Sequence, residues 1–180
     1  MIVHGEGAPG GEGPPNDARA AFTIEAARPS DIPATAALVA RLFEIEADFI
    51  PDPAVQARAL SLLVALPPDR ARVAIARAGD AVVGTASAQL VVSTGEGALS
   101  AWIEDVFVEA GWRGRGVGRR LLADLLAWAR AQGAARAQLL IDLDNAPAEA
   151  FYVRLGWAST RLGVRRLMLT VPAAEGGRRE

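Results

Sequence analysis

The chain of 180 residues lacks several of the residue types that often carry chemistry. It has no cysteine, which excludes disulfides, zinc–thiolate sites and thiol nucleophiles. Its single histidine, His4, lies near the amino terminus, so we expect no serine–histidine pair and no histidine-based metal site. All 19 basic residues are arginines, and Tyr152 is the only tyrosine. The sequence therefore predicts a protein without a metal ion.

Charge and hydrophobicity narrow the classes of partner. The net charge is −2, whereas a nucleic-acid-binding protein is usually distinctly basic. No apolar run has the length of a membrane span, and residues 1–20 lack the apolar core of a signal peptide. We therefore predict a cytoplasmic protein without nucleic-acid or membrane partners, and leave open whether it is a homodimer.

Composition divides the chain into a core and two ends. Residues 1–20 are rich in glycine and proline, so we predict a disordered leader there. Residues 21–172 have the length of one ordinary domain and show no internal repeat. Residues 173–180 form a polar tail that we expect to fray.

Apolar periodicity predicts the order of the secondary-structure elements. The order is a strand (22–26), two helices (from 32, and 54–66), three strands (72–76, 82–92 and 102–108), then helix, strand, helix and closing strands. Gly79-Asp80 marks a hairpin between the second and third strands. Hairpins followed by a strand–helix–strand unit predict an α/β fold, with a mixed, mostly antiparallel sheet and helices on both faces.

The glycine–arginine turn after residue 108 is the most informative segment. It reads Arg113-Gly114-Arg115-Gly116-Val117-Gly118 and opens a helix that ends near Gly133. A helix start offers unpaired N–H groups and partial positive charge, and Gly116 and Gly118 carry no side chain to block them. Arginines at four positions add positive charge: Arg113, Arg115, Arg119 and Arg120. We interpret the turn as a pyrophosphate-binding site; the alternative is a solvated basic turn.

A second strand and helix follow this turn. Residues 136–142 alternate and then run apolar, as in a strand that is buried on both faces. Asn145 is expected to cap the next helix, which carries Phe151 and Tyr152 and stops at Gly156. Trp157 is expected to lead into another strand.

In order and spacing, residues 22–171 resemble the GNAT family of acyl-CoA-dependent N-acetyltransferases. One family motif, Arg/Gln-x-x-Gly-x-Gly/Ala, joins the fourth strand to the third helix and is matched by Arg113, Gly116 and Gly118. A second motif is an asparagine followed one helix later by Phe-Tyr and Gly, matched by Asn145, Phe151-Tyr152 and Gly156.

The resemblance implies a shape for the sheet and a binding site for acetyl-CoA. The fourth and fifth strands would splay apart, and the acyl-CoA arm would lie in the gap. The implied cofactor-binding residues are Val106, Phe107, Val108, Arg113, Gly114, Arg115, Gly116, Val117, Gly118, Arg119, Asn145 and Tyr152. For Asn145, helix capping is an equally good explanation.

Two residues are candidates for proton transfer. In acetyl transfer the amine must lose a proton, and the departing thiolate benefits from gaining one. The resemblance implies that Tyr152 protonates the sulfur; the alternative is an aromatic residue that only packs its ring. It also implies that Glu104 handles the amine proton, through water; the alternative is an ion pair or exposure to solvent. Asp105 is expected on the opposite face of the strand.

The acceptor is the least determined part of the prediction. The segment between the first two helices covers the acceptor site in this family. It carries a cluster of acidic residues, which are Glu44, Glu46, Asp48 and Asp52. A carboxylate-lined mouth suits a cationic amine, although such a cluster is more often a solvated helix end.

The sequence thus predicts an N-acetyltransferase that acts on a primary amine, by direct transfer in a ternary complex. Two alternatives stay open. One is a non-catalytic acyl-CoA-sensing module. The other is a dinucleotide-binding unit, in which Asp142 would follow the second strand.

Overall fold

The computed structural model describes residues 21–46 and 49–169. The elements of this part, in order, are β1 (Thr23–Ala26), α1 (Ile32–Phe43), α2 (Pro53–Ala65), β2 (Ala71–Ala78), β3 (Ala81–Ser93), β4 (Ala98–Val108), α3 (Val117–Ala131), β5 (Ala134–Leu139) and α4 (Ala146–Arg154). Short 3-10 turns precede α1 and follow β4. The predicted leader and tail, and also Asp48, lie outside the described residues.

The strands form one sheet in the order β1-β2-β3-β4-β5. The first four pair antiparallel with their neighbours, while β5 pairs parallel with β4. The parallel pair arises because α3 makes a crossover connection between these two strands. The prediction of a mixed, mostly antiparallel sheet is therefore confirmed.

Helices cover both faces of the sheet, as predicted. Val73 of β2 packs with Leu60 of α2, whereas its neighbour Ala74 packs with Leu121 of α3. Because successive strand residues point to opposite faces, α1 and α2 lie on one face and α3 lies on the other. Tyr152 of α4 belongs to the cluster on the α3 side. None of the helices in the described part has both the length and the apolar character needed to cross a bilayer.

The first turn of α3 lies tightly against β3. A Cβ atom on Gly84 would come within 3.1 Å of Val117 Cγ1 and 3.3 Å of Leu121 Cδ1. Further along the helix, the Arg72 guanidinium donates two hydrogen bonds, of 2.6 and 2.9 Å, to the carboxylate of Asp124. These contacts fix the position of α3 on β2 and β3.

A bulge interrupts β4. The ladder pairs Ser87 with Glu104 but Thr85 with Phe107, so β4 carries one extra residue there. Asp105 lies in this bulge with φ 53°, in the left-handed region that few residues other than glycine adopt.

The bulge changes which side chains share a face of the sheet. Ile103 and Val106 both pack into the core under α3. An unbroken strand would have placed Asp105, not Val106, on the same face as Ile103. The alternation that put Glu104 and Asp105 on opposite faces therefore does not apply.

α1 ends at Phe43, so Glu44 lies in a turn after the helix. Two predictions about secondary structure are wrong. β5 is not buried on both faces, since its residues are partly buried or exposed and the strand lies at the edge of the described sheet. Residues 157–169 form no strand after Trp157.

Candidate active site

The ladder between β4 and β5 ends part-way along β4. Its last pair is Ile103 with Leu139, while β4 continues to Val108. Among the described residues, the edge of segment 104–108 that faces away from β3 therefore has no strand partner. The sheet opens where the splay between the fourth and fifth strands is expected.

The side chains of this segment hold its backbone in place. Val106 packs under α3, and Phe107 packs on the opposite face against Leu38 of α1. The carbonyl of Val108 accepts a 2.9 Å hydrogen bond from Arg113 Nε. That these three residues bind the acyl chain stays a prediction.

The start of α3 offers free backbone donors. The first helical bond joins Arg120 N to Gly116 O at 3.1 Å, so the N–H groups of residues 117–119 have no acceptor within the helix. Gly116, at the N-cap position, makes no side-chain cap. Gly114 and Gly116 have φ of 73° and 82°, which favour glycine. This helix start can therefore receive an anion.

Two of the four arginines near the turn are engaged with the protein itself. Arg113 lies over the ring of Phe107, 5.7 Å from its centroid, in addition to its bond to Val108. Burial, followed by the nearby charge of Arg41, lowers the pKa of Arg113. Arg120 donates a 3.1 Å bond to the carbonyl of Phe22 and lies 4.5 Å from the centroid of its ring. These two arginines therefore contribute to the fold.

The other two arginines, Arg115 and Arg119, are exposed. Arg115 lies over the ring of Trp112, 5.1 Å from its centroid. Arg119 and Arg154 flank a cleft of about 590 Å³ between α3 and α4, whose walls include Leu122, Leu126, Phe151 and Leu155. A cleft with apolar walls and two cations suits a ligand that has both apolar and anionic parts.

Three other predicted residues also serve the fold. Val117 is buried in the main core. Gly118 lies close to the ring of Phe151. The side chain of Asn145 accepts a 3.1 Å bond from the N–H of Ala148 and so caps α4. Capping of α4 is confirmed for Asn145, while its contact with pantetheine stays a prediction.

Tyr152 is buried in the core on the α3 side of the sheet. Its ring makes edge contacts with Phe151 and Trp157, at centroid distances of 5.3 and 5.7 Å. Burial, followed by the negative charge of Glu46, raises the pKa of the hydroxyl, so the group keeps its proton at neutral pH. The packing role and the proton-donor role are therefore compatible.

The two carboxylates of β4 have different surroundings. Glu104 is exposed and accepts a 3.4 Å bond from Gln89 Nε2. Asp105 is partly buried, and burial, followed by the charges of Glu104 and Glu46, raises its pKa to about 7. Asp105 is thus the β4 carboxylate whose pKa lies near neutral pH.

The predicted acidic cluster contributes one residue to this region. Glu46 is partly buried and acts electrostatically on both Tyr152 and Asp105. Glu44 is exposed at the end of α1. Asp52 caps α2 by accepting the N–H of Ala54 at 2.9 Å. In the described part of the chain, no group of three or more histidines or carboxylates could hold a metal ion.

The family description "Acetyltransferase (GNAT) family" matches residues 39–157, which is more than half of the chain. The chain belongs to the GNAT family. Members of this family typically use acetyl-CoA, and the matched segment contains the opening of the sheet, the α3 start and Tyr152. No curated protein sequence matches this GNAT protein.

Solved structures show the same fold. A transcriptional regulator from Bacillus halodurans C-125 matches at 22% identity and TM-score 0.72, over 82% of this chain and 100% of that one. Glucosamine-6-phosphate N-acetyltransferase from Arabidopsis thaliana matches at 16% identity and TM-score 0.66, over 82% of this chain and 98% of that one. An aminoglycoside acetyltransferase from an uncultured soil metagenomic sample, in complex with sisomicin, matches at 20% identity and TM-score 0.63, over 83% of this chain and 96% of that one.

Sequence reasoning missed Asp105 as a site residue. The alternation of an unbroken strand placed Glu104 and Asp105 on opposite faces, and the family resemblance then selected Glu104 as the residue that faces the cleft. Nothing in the local sequence signals the bulge, since no glycine or proline stands between Trp102 and Val108.

Proposed function

We propose that this GNAT protein transfers an acetyl group from acetyl-CoA to a primary amine, and that the acceptor is a small cationic molecule. The observation that carries the proposal is that the charge of Glu46 acts on both the Tyr152 hydroxyl and the Asp105 carboxylate. A proton donor and an anionic region therefore lie together, near the point where β4 parts from β5.

The residues at the opening suit acetyl-CoA. The unpaired edge of segment 104–108 offers backbone groups to an amide-containing arm, as a neighbouring strand would. The free N–H groups of the α3 start, with Arg115 and Arg119 beside them, suit the pyrophosphate. When bound, acetyl-CoA supplies an activated acetyl thioester.

The chain provides the proton transfer and binds the acceptor. Tyr152, whose hydroxyl is protonated at neutral pH, donates that proton to the departing sulfur. The carboxylates of Glu46 and Asp105 attract a cationic amine and exclude an anionic one. The chain has no cysteine, and its motifs supply no activated serine or lysine, so transfer is direct.

A thermal-shift titration with acetyl-CoA and NAD tests the cofactor, because a ligand that binds only the folded state raises its stability. A thiol-release assay across a panel of amines then tests the reaction. The panel should contain diamines, amino sugars and aminoglycosides, since the similar structures include a glucosamine-6-phosphate N-acetyltransferase and an aminoglycoside acetyltransferase.

We expect acetyl-CoA, but not NAD, to raise the unfolding temperature, and we expect the release of thiol to depend on an amine. A shift without release for any amine would favour the non-catalytic sensing module. A shift with NAD would return the dinucleotide-binding alternative.

A further inference from the structure

We propose that Gln89, Trp102 and Gln138 bind the acceptor, and that this acceptor is an amino sugar. These three residues are called the acceptor platform below. The inference rests on the acetyl transfer proposed above and deepens it, because it names the class of amine and the residues that select it.

The three residues of the acceptor platform lie in one row across the sheet. The ladder pairs Gln89 of β3 with Trp102 of β4, and it pairs Trp102 with Gln138 of β5. Residues directly opposite each other in adjacent strands have side chains on the same face of the sheet and close together. The row therefore places one indole ring between two carboxamides.

The acceptor platform faces away from α3. Trp102 lies between Ala101 and Ile103, which both pack into clusters on the α3 side. Because successive strand residues point to opposite faces, Trp102 lies on the face that also carries α1 and α2. The strand neighbours of the two glutamines likewise pack on the α3 side, and they are Ala88, Leu90, Ala137 and Leu139.

Trp102 differs from the other three tryptophans of the chain. Trp112, Trp128 and Trp157 all pack against the main core. In the described part of the chain, Trp102 packs against none of the buried clusters, and it is partly exposed. Its indole N–H and the carboxamide of Gln138 have no hydrogen-bond partner among the described residues. A large apolar ring beside unused polar groups is typical of a ligand site.

The acceptor platform lies next to the opening of the sheet. Trp102 directly precedes Ile103, at which the ladder between β4 and β5 ends. Glu104 lies about 7 Å farther along β4 toward the opening, on the same face. Its carboxylate accepts the 3.4 Å bond from Gln89 Nε2, so it reaches the edge of the acceptor platform. A ligand on the indole therefore places a cationic group beside a carboxylate and close to segment 104–108.

The chemistry of the acceptor platform fits a sugar ring that carries an amine. The face of an indole carries partial negative charge and attracts the C–H groups on one face of a sugar. Each carboxamide offers donors and an acceptor, which match the hydroxyl groups at the edge of the ring. An aliphatic or aromatic amine would cover the carboxamides without giving them partners, which is unfavourable. The ammonium group complements the charge of Glu104.

A comparison of acceptors in the native protein tests the class of amine. Glucosamine, galactosamine and an aminoglycoside represent the sugars, cyclohexylamine keeps a ring but has no hydroxyl groups, and putrescine has no ring. We expect kcat/KM for the best amino sugar to exceed the values for cyclohexylamine and putrescine by about tenfold or more.

The failure of this inference differs from the failure of the proposed function. A preference for cyclohexylamine or putrescine would overturn the inference and leave acetyl transfer to an amine intact. A native protein that releases no thiol with any amine would overturn the proposed function, and this inference with it.

Variants of the acceptor platform test the individual residues. Trp102→Leu should raise KM for the best amino sugar by about tenfold, with a smaller change in kcat and no change in KM for putrescine. Trp102→Phe keeps an aromatic face and should retain most of the affinity. Gln138→Ala should raise the same KM by about fivefold. Gln132→Ala is the matched control, because Gln132 ends α3 on the opposite face of the sheet.

The contrast between acceptors separates binding from a merely structural role. Disturbed packing would affect every acceptor, whereas the loss of a sugar contact affects the amino sugar alone. If Trp102→Leu fails to fold, Gln138→Ala still provides the test, since Gln138 is partly exposed on the edge strand of the described sheet. An equal rise in KM for the amino sugar and putrescine, or no rise for either, would overturn the inference.

Discussion

Gly118, in the first turn of α3, lies against Phe151 of α4. A Cβ atom at position 118 would come within 3.3 Å of Phe151 Cζ and 3.7 Å of Val108 Cγ2. The glycine therefore lets α3, α4 and the end of β4 approach one another, and α4 carries Tyr152. If a bulky residue at position 118 prevents acetyl-CoA binding, the cause is therefore displaced packing of α3 against α4 as well as blocked access of the phosphates.

Gly118→Ala should lower the stability of the protein with or without acetyl-CoA. Overpacking a tight contact costs about 1–3 kcal/mol, which exceeds the gain of about 1 kcal/mol from replacing a helical glycine, so we expect a net cost of about 1 kcal/mol. Gly111→Ala is the matched control, since a Cβ there meets no atom within 4 Å. Thermal unfolding of both variants checks the prediction, and equal Tm values would show that Phe151 adjusts without cost.

Arg119→Gln should weaken acetyl-CoA binding more than Arg120→Gln. Arg119 lines the cleft between α3 and α4, whereas Arg120 is engaged with Phe22. We expect a loss of about tenfold for Arg119, corresponding to about 1.4 kcal/mol, that shrinks as salt screens the charge. Calorimetric titration at two ionic strengths measures it. A larger loss for Arg120 would place the phosphates on the other side of the helix.

The sequence predicted the features that local chemistry determines. The Gly79-Asp80 hairpin and the end of α3 just before Gly133 follow from residues within a few positions of each other. The same holds for the cap at Asn145, whose partner is three residues away.

Features that depend on distant partners could not be predicted. Arg120 appeared available to a phosphate, but its partner Phe22 lies 98 residues away in sequence. The bulge at Asp105 is likewise a property of the pairing of β4 with β3, so the alternation within β4 alone points to the wrong arrangement.

Tyr152→Phe should lower turnover and leave acetyl-CoA affinity nearly unchanged. The ring and its contacts with Phe151 and Trp157 remain, and only the hydroxyl is lost. Loss of a general acid lowers the rate by about 10²–10⁴-fold, and we expect the lower end because water can substitute in an open cleft. Turnover and cofactor binding should be measured on one preparation. Equal turnover would return Tyr152 to a packing role.

Asp31→Asn should destabilise the fold at neutral pH. The Asp31 carboxylate accepts a 2.8 Å bond from the N–H of Arg28 and a 2.6 Å bond from the Arg77 guanidinium. The bond from Arg28, followed by the bond from Arg77, lowers the pKa of this carboxyl below 3.8. The stabilisation is therefore present above pH about 4 and is lost as the pH falls through the lowered pKa. Chemical unfolding should show a loss of about 1–3 kcal/mol at pH about 7 that shrinks in acid. A constant loss at all pH values would contradict this account.

Mass spectrometry after incubation with isotopically labelled acetyl-CoA, with and without an amine, tests the central claim most directly. The account predicts that the label appears on the amine and that the protein stays unmodified in both samples, because transfer is direct. A stoichiometric acetyl adduct on the protein, formed without amine and lost when amine is added, would contradict it.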